Sequence, residues 1–357
     1  MSQTVHVARD NLGSAQLADT PLPELEPNAV RLKIDSFSVT ANNVTYAVAG
    51  EQMGYWNFFP APSGKGVVPM WGHAVVTASN HPDIVAGERV YGYLPMGTHL
   101  DVEPGKVSDG SFVDLAGHRQ PMSPIYNTYS RLSADPEHDA AREAERMIFG
   151  PLFKTGYLIE TMFRSEGWSG AGAMVMTSAS SKTSMALASV AKEKSPAIKR
   201  IGLTSAGNVA FTQGTGLYDE VLAYDAVAKL ENAPTVSVDF AGNSSILRSI
   251  HEHLRENLAY SCLVGATHVG GRDGSAGSLP GPQPILFFAP TYAVAAIKEQ
   301  GPKAFGEAVA ASWKTFLEQI AGTVDVEIRE GLDAARSTYL EILSGNVDPA
   351  KGIVIRP

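Results

Sequence analysis

Residues 173–184 read AMVMTSASSKTS, and the folding of that stretch decides the architecture of the chain. Ala173 to Thr177 is a short apolar run. Ser178 to Ser181 are small, Lys182 adds a cation, and the residues from Ser181 to Lys194 are helix-compatible. A strand that turns through small residues into a helix opens a nucleotide-binding βα unit, with the helix N-terminus facing an anion. The same rhythm recurs downstream in Arg200 to Thr204, Glu220 to Tyr224, Thr235 to Phe240, Tyr260 to Val264 and Ile285 to Ala289. Helix-compatible stretches such as Ser244 to Asn257 lie between several of these runs. Short, mostly apolar strands suit a parallel sheet covered on both faces. Six of them predict an α/β class chain with a doubly wound domain over residues 136–291.

Upstream the pattern is β-rich. Val30 to Val39 (VRLKIDSFSV) alternates apolar and polar residues, the period of a half-buried strand. Val67 to Thr77 surrounds Gly72-His73, and Glu88 to Tyr93 is another short strand. Pro and Gly punctuate these runs, which predicts a β-barrel-like domain over residues 1–135. Asp139 to Met147 and Phe149 to Phe163 follow as helix-forming stretches. The tail, Pro302 to Gly345, offers two amphipathic helices around a Thr323 to Arg329 strand, and Ile353 to Arg356 reads as one more strand. Residues 292–357 are therefore expected to complete the barrel-like domain.

Composition narrows the class. The 357 residues hold 28 Lys plus Arg against 37 Asp plus Glu, a net charge of -9, which argues against a general nucleic-acid or anionic-membrane binder. The single cysteine, Cys262, cannot form an intramolecular disulfide and fits a reducing compartment. Met1 to Asp10 lacks the apolar core of a signal peptide. Leu286 to Ile297 falls short of the roughly 20 residues of a membrane span. A cytoplasmic protein is expected, with a small-molecule substrate, no nucleic acid, no membrane and, as a homo-oligomer, a homodimer.

Four segments carry a family resemblance. They are Ala41-Asn42-Asn43-Val44-Thr45-Tyr46 through Gly50, Trp71-Gly72-His73-Ala74-Val75-Val76, Ala86-Gly87-Glu88-Arg89-Val90 and Gly110-Ser111-Phe112-Val113. Together with the domain order they resemble the medium-chain dehydrogenase/reductase superfamily over most of the chain, and within it a divergent zinc-less branch similar to quinone and enoyl reductases. The resemblance implies a GroES-like catalytic domain and a Rossmann domain that binds NADP. It implies reduction of an activated alkene, enone or quinone in the cleft between domains. It also implies that Tyr55, Tyr46, Asn43 and Asn42 line the substrate pocket, with Tyr55 slightly favoured as proton donor. Thr155, in Phe153-Lys154-Thr155-Gly156-Tyr157, would belong to the turn under the nicotinamide.

The departures are as informative. Zinc-dependent members take a cysteine from the segment that here reads Val39-Thr40-Ala41 and a His-Glu pair where this chain has His73-Ala74. One histidine cannot hold a metal, so no metal is expected. In the phosphate turn, Ser178, Ser180, Ser181, Lys182 and Thr183 replace glycines; their hydroxyls and the ammonium can meet phosphate oxygens, or else they only cap a helix. Lys182-Thr183 imitates the end of a P-loop, but Ser181 and Met176 stand where its glycines belong. The second strand ends without a carboxylate. Ser205 and Asn208 there favour NADP over NAD, because an acid would bind the ribose hydroxyls of NAD. Tyr224 either stacks near the adenine or ribose or is a core tyrosine. Gly242, Gly265, Thr267 and Phe288 follow later strands, where ligands of open α/β sheets sit. His251 and His253 do not share a helical face and are not metal partners. The other readings are an NADP-binding sensor without turnover, or a non-redox enzyme of the same fold.

Overall fold

The six apolar runs form one parallel sheet in the order Glu220–Ala223, Lys199–Thr204, Ala173–Met176, Thr235–Asp239, Leu258–Val264, Ile285–Phe287. Strand order reverses between Ala173–Met176 and Thr235–Asp239, which is the switch point of a doubly wound sheet. One face is filled by Val175, Ile201, Leu203, Ile250, Leu254 and Leu258. This computed structural model describes residues 1–264, 279–345 and 348–357. Among them, no helix is long and apolar enough to cross a membrane.

The chain divides into two units, Met1–Ile148 with Val326–Pro357, and Phe149–Asp325. The divisions fall later than residues 135 and 291. Helices Ala289–Gln300 and Pro302–Gln319 belong to the second unit, where the Trp313 ring meets Phe153 edge-on and the Phe316 ring meets it at a tilt, both at 5.2 Å.

In the other unit, Val30–Val39 is the hub of a nine-stranded sheet. It pairs antiparallel with Pro69–Ser79, His99–Val102 and the C-terminal Lys351–Arg356. Its register shifts between Ile34 and Ser36, so alternation changes phase there and both Phe37 and Val39 stay buried. Val5, Leu32, Phe37, Val76 and Val90 share a core with Leu332, Ala335 and Tyr339 of the helix Leu332–Leu343. Asp114 and Arg119 form a fully buried ion pair of 2.8 Å, which the Asn127 amide oxygen, the Tyr126 carbonyl and the Tyr129 hydroxyl complete.

The two stretches read as helix-forming around residue 148 are largely one helix, Glu143–Ser165, with Pro151 inside it. Proline has no N–H to give the Met147 carbonyl four residues earlier. The buried Ser38 hydroxyl donates to that carbonyl instead, at 2.5 Å, so the helix passes through the proline with its acceptor satisfied.

Candidate functional site

The turn after Ala173–Met176 shows how a sequence without glycines builds a phosphate-type bend. Ser178 takes φ of 49°, the left-handed region usually left to glycine. Its N–H donates to the Tyr224 hydroxyl at 3.0 Å, tying the turn to the end of the third strand. Ser181 then caps the helix Lys182–Lys194, its hydroxyl accepting from the Ser184 N–H at 3.3 Å. The amides of the first helical turn have no carbonyl within their own helix and face the space beyond it. Lys182 and Thr183 open that turn and are half-buried.

Ser180 is the node of this end of the sheet. Its oxygen accepts from Thr204 at 3.3 Å and from the Asn208 amide at 3.1 Å, so its own proton is left to donate. Asn208 retains a second N–H, and Ser205 is exposed with its hydroxyl uninvolved in capping. At the switch point the Thr177 hydroxyl donates to the buried Asp239 carboxylate and accepts from the N–H groups of Phe240 and Ala241. Neither Thr177 nor Asp239 stands out in the sequence; their position, one on each strand beside the reversal, was the available signal. Gly242 bends with φ of 66° before Asn243 caps the helix Ser244–Leu254. Phe288 is half-buried and sits just ahead of the helix Ala289–Gln300. Gly265 and Thr267 lie outside the described residues.

Thr155 needs a correction. It lies within the helix Glu143–Ser165 and not in a turn, and its hydroxyl donates back to the Pro151 carbonyl at 3.1 Å. Gly156 beside it lets the helix Lys182–Lys194 approach: a Cβ there would lie 2.6 Å from the Leu187 nitrogen.

In the barrel-like unit the tyrosines gather. Tyr46 and Tyr55 lie 4.7 Å apart, ring to ring, and Tyr93, Tyr126 and Phe58 close the group. The Tyr46 oxygen accepts from Asn42 Nδ2 at 2.7 Å and from Trp71 Nε1 at 3.0 Å. Tyr55 and Tyr126 share one hydrogen bond of 3.1 Å. Burial raises the pKa of both Tyr46 and Tyr55, so each is a neutral phenol at physiological pH. Trp71 went unread as a partner, although it precedes His73 by two residues on the same strand face. Asn43 is corrected to a structural role. Its carbonyl accepts from the Thr40 N–H at 2.6 Å and its amide donates to the Pro69 carbonyl at 2.8 Å, which caps the helix Ala41–Val48.

His73 is not isolated either. It is fully buried, and His138 and Glu143 bring ligand atoms to within 4.8 Å of it and of one another. The premise of a lone histidine is therefore corrected: two more donors come from the segment that leads into the long helix.

A six-stranded doubly wound sheet with a separate β-barrel-like unit, completed by C-terminal strands, is the medium-chain dehydrogenase/reductase fold. The chain belongs to the DUF2855 family of proteins of unknown function, whose model matches residues 37–348. Solved structures repeat the fold over the full length. CurA from Vibrio vulnificus is similar at 15% identity and a TM-score of 0.61, over 100% of this chain and 98% of that one. The yhdH oxidoreductase from Salmonella enterica, solved in complex with NADP, is similar at 14% identity and a TM-score of 0.57, over 99% of each chain. The quinone oxidoreductase from Coxiella burnetii gives 14% identity and 0.56, over 100% of this chain and 99% of that one. No curated protein matches the sequence.

Proposed function

We propose that this chain is an NADPH-dependent reductase of an activated alkene, enone or quinone. The observation that carries the reading is the turn at Ser178, which bends as a glycine would and leads small side chains into a capped helix start. Such a start accepts a pyrophosphate. CurA from Vibrio vulnificus solved with NADPH, and yhdH solved with NADP, support the same cofactor. The donor set fits it. Lys182, Thr183 and the first-turn amides would hold the pyrophosphate, Ser180 would offer its remaining proton, and Ser205 and Asn208 would receive the 2′-phosphate where an acid would repel it. When bound, NADPH supplies a hydride.

The chain's own contribution to the chemistry is a proton and a place for negative charge. Adding hydride to a conjugated alkene or quinone leaves charge on oxygen, which a positioned phenol relieves without a metal. Between the two tyrosines, Tyr46 suits this better than Tyr55. Two N–H donors already fill its lone pairs, so its own proton is left to donate, and both bonds partly offset the burial that raises its pKa. A small-molecule substrate, a cytoplasmic setting, no nucleic-acid or membrane partner and at most a homodimer complete the proposal.

Calorimetry with NADPH and NADH tests the cofactor, and oxidation of NADPH at 340 nm across an acceptor panel tests the reaction. The expected outcome is tighter NADPH binding, with Ser205→Asp moving the preference toward NADH. Equal affinities in the unaltered chain would overturn the cofactor assignment. Tight NADPH that no acceptor oxidises would overturn the reductase and leave the sensor.

A further inference from the structure

His73 lies in the middle of the strand Pro69–Ser79, fully buried, with neither ring nitrogen hydrogen-bonded among the described residues. An imidazole N–H removed from water without a partner is costly, so such a group ordinarily answers to something. The Tyr91 ring lies 5.1 Å away and offers no acceptor for a ring N–H in its plane. What does converge on His73 is His138 and Glu143, whose ligand atoms all lie within 4.8 Å. His138 Nδ1 also lacks a hydrogen bond and stands 3.9 Å from the Glu143 carboxylate.

We propose that His73, His138 and Glu143 bind a divalent cation of the zinc(II) type. Two imidazoles and one carboxylate are a borderline-soft donor set that suits zinc and leaves a fourth position open. Ligand atoms around tetrahedral zinc lie roughly 3.3 Å apart, given bonds of about 2.0–2.1 Å, so the present spacing closes by side-chain rotation. His138 and Glu143 are 20% and 19% exposed, which gives an ion a way in, while His73 forms the buried end. Burial also holds His73 down to a pKa of about 3, so it is neutral and has a lone pair to give.

Arg89 is the strongest objection, because it already binds both Glu143 oxygens at 2.6 and 2.9 Å. Each carboxylate oxygen has two lone pairs, however, and ligating carboxylates are commonly held by a further hydrogen bond. The second guanidinium nearby, Arg146, is paired with Asp135, and Arg89 also meets Asp35 at 3.3 Å, so the surrounding charge is balanced. Of the positions from which zinc-dependent members of the fold draw ligands, only His73 recurs; Ala41 and Ala74 offer nothing. The ligand set is this chain's own and does not depend on the reductase reading.

The test uses the untagged full-length chain, stripped with a chelator and titrated with zinc chloride against a chromophoric competitor. One equivalent should bind. His138→Ala, at a partly exposed position, and Glu143→Gln should each weaken binding at least about 100-fold, beyond what loss of a ligand's supporting bond costs. Cobalt(II) in the unaltered chain should give intense visible bands that His138→Ala abolishes, a signature that a merely structural role would not move. Failure to hold zinc against the competitor overturns the proposal. So does an affinity that both variants share with the unaltered chain, because the ion would then sit elsewhere.

Discussion

At the scale of single residues, hydrogen bonds sort the candidates in ways their types do not announce. Asn42 and Asn43 are neighbours with the same side chain, yet one orients a phenol and the other caps a helix. The difference lies in which helical face each occupies, and a sequence states that only once the helix start is known. If Tyr46 is the donor, Tyr46→Phe should lower turnover about 100-fold or more with NADPH affinity nearly unchanged, in single-turnover and binding measurements. Tyr55→Phe should leave turnover nearly intact. Ser178 yields a stability prediction of the opposite kind. A residue with a Cβ pays roughly 1 kcal/mol to sit at φ of 49°, so Ser178→Gly should raise the unfolding free energy by about 0.5–1 kcal/mol. Denaturant melts will show it, since the N–H that meets Tyr224 is unchanged.

Elements were the most legible level. Val30–Val39 spans the residues its alternation marks out, and the short apolar runs become strands within a residue or two at most ends. The helix Glu143–Ser165 reads in sequence as two stretches that meet at residue 148, and the hydroxyl that satisfies the carbonyl left open by Pro151 sits on a strand far away in sequence. Ser38→Ala should therefore cost about 1–3 kcal/mol, the price of an unsatisfied buried carbonyl. Where that helix meets the helix Lys182–Lys194, Gly156→Ala forces a methyl against backbone and should destabilise by about 1–3 kcal/mol and, if the proposed cofactor site is right, also weaken NADPH binding. His251 gives the pH dependence. It joins the helix Ser244–Leu254 to the next strand through Ser261 at 2.8 Å and meets the Pro280 carbonyl at 2.8 Å. Burial lowers its pKa from the ordinary 6.5, so below that pH the unfolded chain binds the extra proton first. Stability should fall as pH drops through 6.5 toward the folded value. Urea melts between pH 7.5 and 5 should show a shallower decline in His251→Gln.

At the scale of the whole molecule, the fold was readable and the long-range groupings were not. Six strands in a rhythm announce a doubly wound sheet, because each βα unit is written locally. The His73, His138 and Glu143 cluster joins residues some 65 to 70 positions apart, and no local pattern could have assembled it. The same holds for Thr177 and Asp239, which meet only because the strand order reverses between them.

The pairing of Lys351–Arg356 with Val30–Val39 has a consequence for how the chain is made. During synthesis the hub strand of the barrel-like unit emerges long before this partner. The unit that holds the parallel sheet, continuous from Phe149 to Asp325, is complete before that partner exists. Chains on the ribosome are therefore expected to hold a finished parallel-sheet unit and an unfinished barrel, whose hub leaves one edge at Phe37 to Val39 unpaired until Lys351–Arg356 emerges. A pause before Lys351 would then prolong a state with an open, apolar strand edge, the kind of surface that invites unwanted pairing.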